Sequence, residues 1–230
     1  MAITGSELVA QSLQQHGMEA FFFIMGAPML GVEKACLDAG MRGIDVRHEQ
    51  AAAMMAHAYS RVSRKTGLCM ACSGPGTVNL ASGIATAFVD CAPVLALGGA
   101  SPWSEWGTGS FQEIDQVAVM RPVTKWAERV YETRRIPEII DTAIRMAWTG
   151  KPGPVYVDLP TDVLLSSIDE AIVVWPHNSG AGRARGMADA ERVDAAVQLL
   201  ATAKKPVLLS GSGVIWSEAQ AQLQQWIEHS

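Results

Sequence analysis

Residues 67–99, GLCMACSGPGTVNLASGIATAFVDCAPVLALGG, decide the fold. Two apolar runs, 68–72 and 93–99, are uncharged and do not alternate, which marks strands covered on both faces. Between them Ser73-Gly74-Pro75-Gly76 is turn chemistry, and 78–89 has helical character. Strand, turn, helix and second buried strand make a βαβ unit, and such units build parallel sheets.

The same alternation extends in both directions. Upstream, Thr4-Gly5-Ser6-Glu7 forms a capping box ahead of Leu8, Val9 and Leu13 at helical spacing. Residues 20–25 read as a buried strand ending at Gly26, 31–39 as helix and 43–46 as a short strand. The helix after Arg47-His48-Glu49 ends near Gly67 and is so rich in Ala and Met that burial is expected. Downstream, 101–110 is a polar loop, 123–130 a fifth strand, 136–148 a helix and 154–160 a sixth strand. The expectation is an α/β domain over residues 1–165: a parallel sheet flanked by helices on both faces. Pro, Gly, Ser and Asn mark 166–187 as a linker. Residues 188–230 then read as the truncated start of a second α/β domain: a helix at 190–200, a strand in KKPVLLSGSGV and another helix.

Composition narrows the function. Hydrophobic residues at 49% against 18% charged suit an enzyme with a large core rather than a disordered chain. A net charge of −5 without any Lys/Arg run argues against nucleic-acid binding. No apolar run reaches membrane-span length, and the N-terminus lacks a signal pattern. Four sparse cysteines in mostly apolar runs fit reduced thiols, so a cytoplasmic protein is expected. Cys69-Met-Ala-Cys72 spells C-x-x-C, but no second ligand pair accompanies it, and the core reading is preferred. No metal ligand is assigned within the chain.

Ligands of open parallel sheets bind at the carboxyl ends of the strands. Gly26-Ala27-Pro28, Glu49, residues 73–79 and Gly99 onward all fall there. A carboxylate at the mouth of a core is costly unless paired, protonated or used, which singles out Glu49. Ser73-Gly74-Pro75-Gly76 lacks the Lys-Ser/Thr of a phosphate loop, although its glycines let backbone approach a ligand closely.

Six features stand in order: ITGSELVAQSLQQHG, the GAP turn at 26–28, RHEQAAAMMAHAYSR, SGPGTVNLASGIATAFVDCAPVLALGG, FQEIDQ and GKPGPVYVDLPTDVL. Together they resemble the pyrimidine-binding (PYR) domain of thiamine-diphosphate enzymes. The similar group is acetolactate synthase-like and includes 2-hydroxyacyl-CoA lyases, oxalyl-CoA decarboxylases and benzaldehyde lyase. The likeness covers about residues 2–165, and 188–230 resemble the start of that family's central domain. It implies that Glu49 hydrogen-bonds N1′ of the cofactor's aminopyrimidine. A carboxyl group surrounded by Ala and Met favours its protonated form and exchanges a proton with that ring nitrogen. Cofactor contacts are implied for Gly26, Ala27, Pro28, Ser73, Gly74, Pro75, Gly76 and Asn79, with helix capping as the alternative for Asn79. Gln112 matches a glutamine pointing at the reacting carbon, which gives it a catalytic and substrate-binding role. Phe111 walls the pocket or simply packs. Arg47 and His48 are expected to hold the turn, and His57 to be a core histidine.

Pro28 departs from benzaldehyde lyases, which have histidine there, and fits acyl-CoA lyases and acetolactate synthases; TKWAERV at 124–130 leans the other way. The resemblance also implies Mg²⁺, held with the diphosphate by Gly-Asp-Gly and a later Asn in a C-terminal domain. No Gly-Asp-Gly occurs here, and Gly211-Ser212-Gly213 offers no carboxylate. Because the cofactor lies between subunits, the chain is expected to carry half a site and to be inactive alone. The expected partners are a second copy in a homodimer or homotetramer of the full-length chain, or a separate chain with the diphosphate domain. The substrate would be a small 2-hydroxyacyl or 2-oxo compound, CoA thioesters included; FAD, ADP or neither remains open for the central domain. A 2-hydroxyacyl-CoA lyase leads, an acetolactate synthase-like carboligase is the alternative, and a non-catalytic PYR-like module is the third reading.

Overall fold

Thr4 sets the first helix. In the computed structural model, which describes residues 1–176 and 186–228, strand β1 (Ala2–Thr4) runs into helix α1 (Gly5–Gln15). The Thr4 hydroxyl accepts from the Glu7 amide at 3.2 Å, and the Glu7 carboxylate accepts from the Thr4 amide at 2.8 Å. This reciprocal cap satisfies two otherwise orphaned N–H groups. There follow β2 (Ala20–Phe23), α2 (Leu30–Asp38), β3 (Arg42–Asp45), α3 (Glu49–Ser63), β4 (Gly67–Ala71), α4 (Pro75–Val89) and β5 (Val94–Ala100). Beyond a loop lie α5 (Gln116–Met120), β6 (Trp126–Arg129), α6 (Ile136–Trp148), β7 (Val155–Pro160), α7 (Thr161–Leu165) and β8 (Ser167–Asp169).

Six strands pair in parallel, as the apolar runs predict, and the structure adds their order, β3-β2-β4-β5-β7-β6. The buried strands β4, β5 and β7 are two-faced in size if not in polarity. Leu68, Met70, Leu95, Leu97, Val155 and Val157 join Leu8, Leu13 and Ile140 in the large core under α1, α2 and α6. The opposite face offers Cys69, Ala71, Ala96 and Gly98, small enough for α3, α4 and α5 to come close. Gly83 of α4 shows how close, because a Cβ there would lie 2.6 Å from the Ala53 Cβ of α3. Room on this face also admits two polar side chains, Tyr156 and Asp158, both fully buried.

Burial of the whole Ala/Met helix does not hold. α3 buries one stripe, Ala52, Ala53, Ala56 and Ser60, while Met54 and Met55 are 40% and 39% exposed. A helix lying on a sheet hides one face only, and apolar composition does not change that. β8, inside the stretch read as linker, pairs antiparallel with β1 and fastens the chain start to the end of the domain. Residues 177–185 of that stretch lie outside the described residues.

Contacts divide the chain into units Met1–Gly182 and Arg183–Ser230. In the second, α8 (Ala190–Thr202) matches the expected helix, and α9 (Ser212–Trp216) and α10 (Gln220–Glu228) follow. The strand expected in KKPVLLSGSGV is not formed; Val207 and Leu209 are 93% and 98% exposed. A β-prone run needs a neighbouring strand to bond to, and no other strand occurs among the described residues of this unit.

Candidate active site

The charged trio that leads into α3 is a turn with its exits tied. Arg47 pairs with Asp45 at the end of β3, and the His48 ring accepts from the Gln50 amide at 3.2 Å as the helix cap. Glu49 is therefore the first residue of α3, half-buried, at the strand ends. Its Oε2 accepts from Asn79 Nδ2 at 3.0 Å. Asn79 sits inside α4, so it orients the carboxylate and is not a helix cap.

Glu49's other oxygen, Oε1, has no donor among the described residues and faces backbone. A Cβ on Gly76 would lie 3.3 Å from Oε1 and 2.5 Å from Cys72 Sγ. A Cβ on Gly26 would lie 2.7 Å from Cys72 Cβ. Gly26, Cys72 and Gly76 thus form a close-packed cradle beside the carboxylate, where a side chain on either glycine would strike Cys72. The surroundings of Glu49 are a thiol, an amide and glycine backbone, in place of the Ala and Met expected from its own helix. Cys72 was grouped with Cys69 as core, and only Cys69 is fully buried. Burial first, and the Glu49 charge second, push the Cys72 thiol pKa up, so it stays protonated beside the carboxylate.

The GAP turn closes one side. Its Ala27–Pro28 peptide is cis, Ala27 is exposed, and Pro28 packs where a Cβ on Gly99 of β5 would lie 2.5 Å from its ring. On the other side Gly74, at φ +58°, leads into Pro75, the first residue of α4. The Ser73 hydroxyl donates to Gln112 Oε1 at 2.6 Å, bringing Gln112 to the turn. Gln112 is itself at φ +58°, held by a loop that wraps the Glu113 carboxylate. That carboxylate accepts from the amides of Gly107, Gly109 and Ser110 at 2.8, 3.2 and 3.1 Å. Phe111 does not pack in this chain: it is 81% exposed. His57 lies 3.1 Å from Asp90 and away from Glu49's partners.

Gln116 closes the FQEIDQ motif, but sequence reasoning gives it no role. It is 1% exposed, and its side chain accepts from the Gly74 amide. It also donates to the Gly99 carbonyl at 2.9 Å, and its amide nitrogen faces the Tyr156 hydroxyl at 3.0 Å and Asp158. Asp158 is paired with Arg129, which is also buried. Burial raises the Asp158 pKa, and Arg129 pulls it back. The one visible sign of this network was an aspartate inside an apolar strand, PVYVDLP.

Gly26, Pro28, Glu49, Ser73, Gly74, Pro75, Gly76, Asn79 and Gln112 accordingly gather at the carboxyl ends of β2, β4 and β5. Among the described residues no group of three or more His, Cys, Asp or Glu is placed to hold a metal ion, and no helix is long and apolar enough to cross a membrane.

Residues 3–119 match the family model described as thiamine pyrophosphate enzyme, N-terminal TPP binding domain. The chain is similar to a probable acetolactate synthase large subunit of Methanocaldococcus jannaschii, at 37% identity over 95% of this chain and 37% of that protein. It is also similar to an acetolactate synthase of Arthrospira platensis, at 37% identity over 98% of this chain and 40% of the relative. The acetolactate synthase isozyme 3 large subunit of Escherichia coli K12 is 36% identical over 98% of this chain and 40% of its own length. The chain therefore spans about two fifths of the length of these relatives.

Proposed function

Because this chain belongs to the thiamine pyrophosphate enzymes and carries their N-terminal cofactor-binding domain, we propose that it supplies the aminopyrimidine half of an acetolactate synthase-like active site. The reaction would be carboligation at a 2-oxo carbon. One observation carries the reading: a carboxylate with one oxygen tied to Asn79 and the other turned toward a cradle of Gly26, Cys72 and Gly76. That cradle suits a flat heterocycle with a ring nitrogen against Oε1. The names of the relatives favour the carboligase over the 2-hydroxyacyl-CoA lyase that the sequence put first.

The bound cofactor supplies an electron sink beside a carbonyl carbon, a chemistry no side chain of this chain possesses. The rest falls to the chain. Glu49 holds and passes a proton at Oε1 while Asn79 keeps the carboxylate from rotating away. The glycines allow contact without side chains in between. Gln112, its Oε1 engaged by Ser73, keeps an amide N–H₂ that has no acceptor among the described residues and is free to meet a substrate oxygen. In this proposal Mg²⁺ and the diphosphate are held by another domain or subunit, and the full site assembles in a homodimer or homotetramer.

The test is Glu49→Gln in the full-length enzyme, assayed for carboligation of a 2-oxo acid with 2-hydroxyacyl-CoA cleavage run alongside. The expected loss of carboligation is about 100-fold or more, the usual contribution of a positioned proton-transfer group. Undiminished activity in the variant would overturn the role of Glu49. Thioester cleavage without carboligation in the parent enzyme would restore the lyase.

A further inference from the structure

Gly74 is the pivot of the cofactor turn: its carbonyl accepts from the Val78 amide of α4 at 3.0 Å, and its own amide points the other way. Its φ of +58° and ψ of −118° lie where only glycine is comfortable, and a Cβ would also strike the Gln112 carbonyl at 2.6 Å. Its amide, two residues before Gly76, is satisfied by a single acceptor, Gln116 Oε1 on α5. The identity of that oxygen is fixed by what lies at the other end of the same amide group. Nε2 faces the Gly99 carbonyl, the Tyr156 hydroxyl and Asp158, and two of those three only accept, so the nitrogen must point there. Asp158 in turn is clamped by Arg129, whose guanidinium lies 4.2 Å from the Trp106 ring and 5.2 Å from the Trp103 ring. The loop bearing those tryptophans is pinned as well, since Asp162 accepts from the Trp103 and Ser104 amides at 3.0 Å each. Continuous contacts thus run from the exposed Trp106 through the buried Arg129, Asp158 and Gln116 to Gly74.

We infer that Gln116 is a positioning residue: through the Gly74 amide it holds Ser73 toward Gln112 and Gly76 opposite Glu49. The inference rests on the reading that the 73–76 turn receives the aminopyrimidine. Glutamine suits the task because one planar, uncharged end both accepts and donates. Methionine has the same reach and does neither. Glutamate does both only while protonated, and the titratable groups around it are Asp158, Tyr156 and Arg129.

The experiment compares Gln116→Met and Gln116→Glu with the parent protein in the full-length chain. The first readout, taken without cofactor, is amide hydrogen exchange of the peptide spanning residues 72–80. The expected change in Gln116→Met is exchange faster by about tenfold or more, as for loss of one buried hydrogen bond. A core variant of equal thermal stability loss, such as Val157→Ala, should leave that peptide protected. The second readout is the Kd for thiamine diphosphate with Mg²⁺. Relative to the parent at the same pH, Gln116→Glu should bind nearly normally at about pH 5.5 and about tenfold more weakly at about pH 8. Unchanged exchange at 72–80 in Gln116→Met, or a pH-independent Kd ratio in Gln116→Glu, would overturn the inference. If Gln116→Met does not fold, the glutamate variant decides alone. Failure of the site reading looks different: Glu49→Gln would keep full activity while exchange at Gly74 still responded to Gln116.

Discussion

Asp158 in β7 and Glu33 in the first turn of α2 are both hidden from water, at 0% and 3% exposure, yet they live in opposite conditions. Asp158 sits on the small-residue face of the sheet with Arg129, Tyr156 and Gln116 around it. Glu33 sits beside the β2–β3 edge, its Oε1 without a hydrogen bond among the described residues. Burial and the nearby Asp45 push its pKa up to about 7. Glu49 lies between these extremes, half-exposed with one oxygen bonded. A fully partnered carboxylate is architecture, an unpartnered buried one is a liability, and a half-partnered one at the strand ends is available for chemistry.

The strongest way to break this contrast is to unpair Asp158. Arg129→Leu should lose about 3–5 kcal/mol in chemical denaturation, because it strands a charge in the core. Adding Asp158→Asn should recover a good part of that. A loss under about 1 kcal/mol would mean that the buried pair does not hold β6 against β7.

Glu33 sharpens the other side, with the sign set by its raised pKa. Folded Glu33 binds its proton more tightly than unfolded Glu33, so its contribution is fully present below pH 4.5 and is lost as pH rises through about 7. Glu33→Gln cannot ionise. Its stability relative to the parent should therefore rise by about 3 kcal/mol between acidic and mildly alkaline pH. Denaturant midpoints across that range check this, and parallel curves would refute it.

A third change crowds the partnered half without touching a charge. A Cβ on Gly98 would lie 2.3 Å from the Tyr156 hydroxyl and 2.5 Å from Thr77 Oγ1. Gly98→Ala should lower stability by about 1–3 kcal/mol in thermal unfolding, since both neighbours are wedged between sheet and α4.

These contrasts also explain what could be read in advance. β4, β5 and β7 were visible because burial on both faces leaves unbroken apolar runs, and α1 because its cap is written in four residues. α5 and α7, five residues each, are too short for periodicity to register, and β1 and β8 exist only through a pairing between the two ends of the domain. Glu49, the 73–76 turn and Asn79 were legible because they cluster in contiguous motifs. Gln116 stands in such a motif too, FQEIDQ, but its role was not legible, because it arises where α5, β5, β7 and the turn meet. Cys72 was misplaced by one residue's distance from the strand end, where core gives way to site.

The smallest expected effect is the most telling. Glu49→Gln should shift folding stability by no more than about 0.5 kcal/mol, as is usual for substitutions away from closed networks. The amide keeps the volume, a glutamine oxygen still accepts from Asn79, and nothing else in the described structure bonds the carboxylate. Equilibrium denaturation at neutral pH measures it. Near-neutral stability combined with lost carboligation would separate Glu49 from Asp158 in kind: one carboxylate keeps the fold, the other does work on a bound molecule. A stability loss like that of Arg129→Leu would instead place Glu49 inside the architecture, and the half-partnered carboxylate would no longer mark the site.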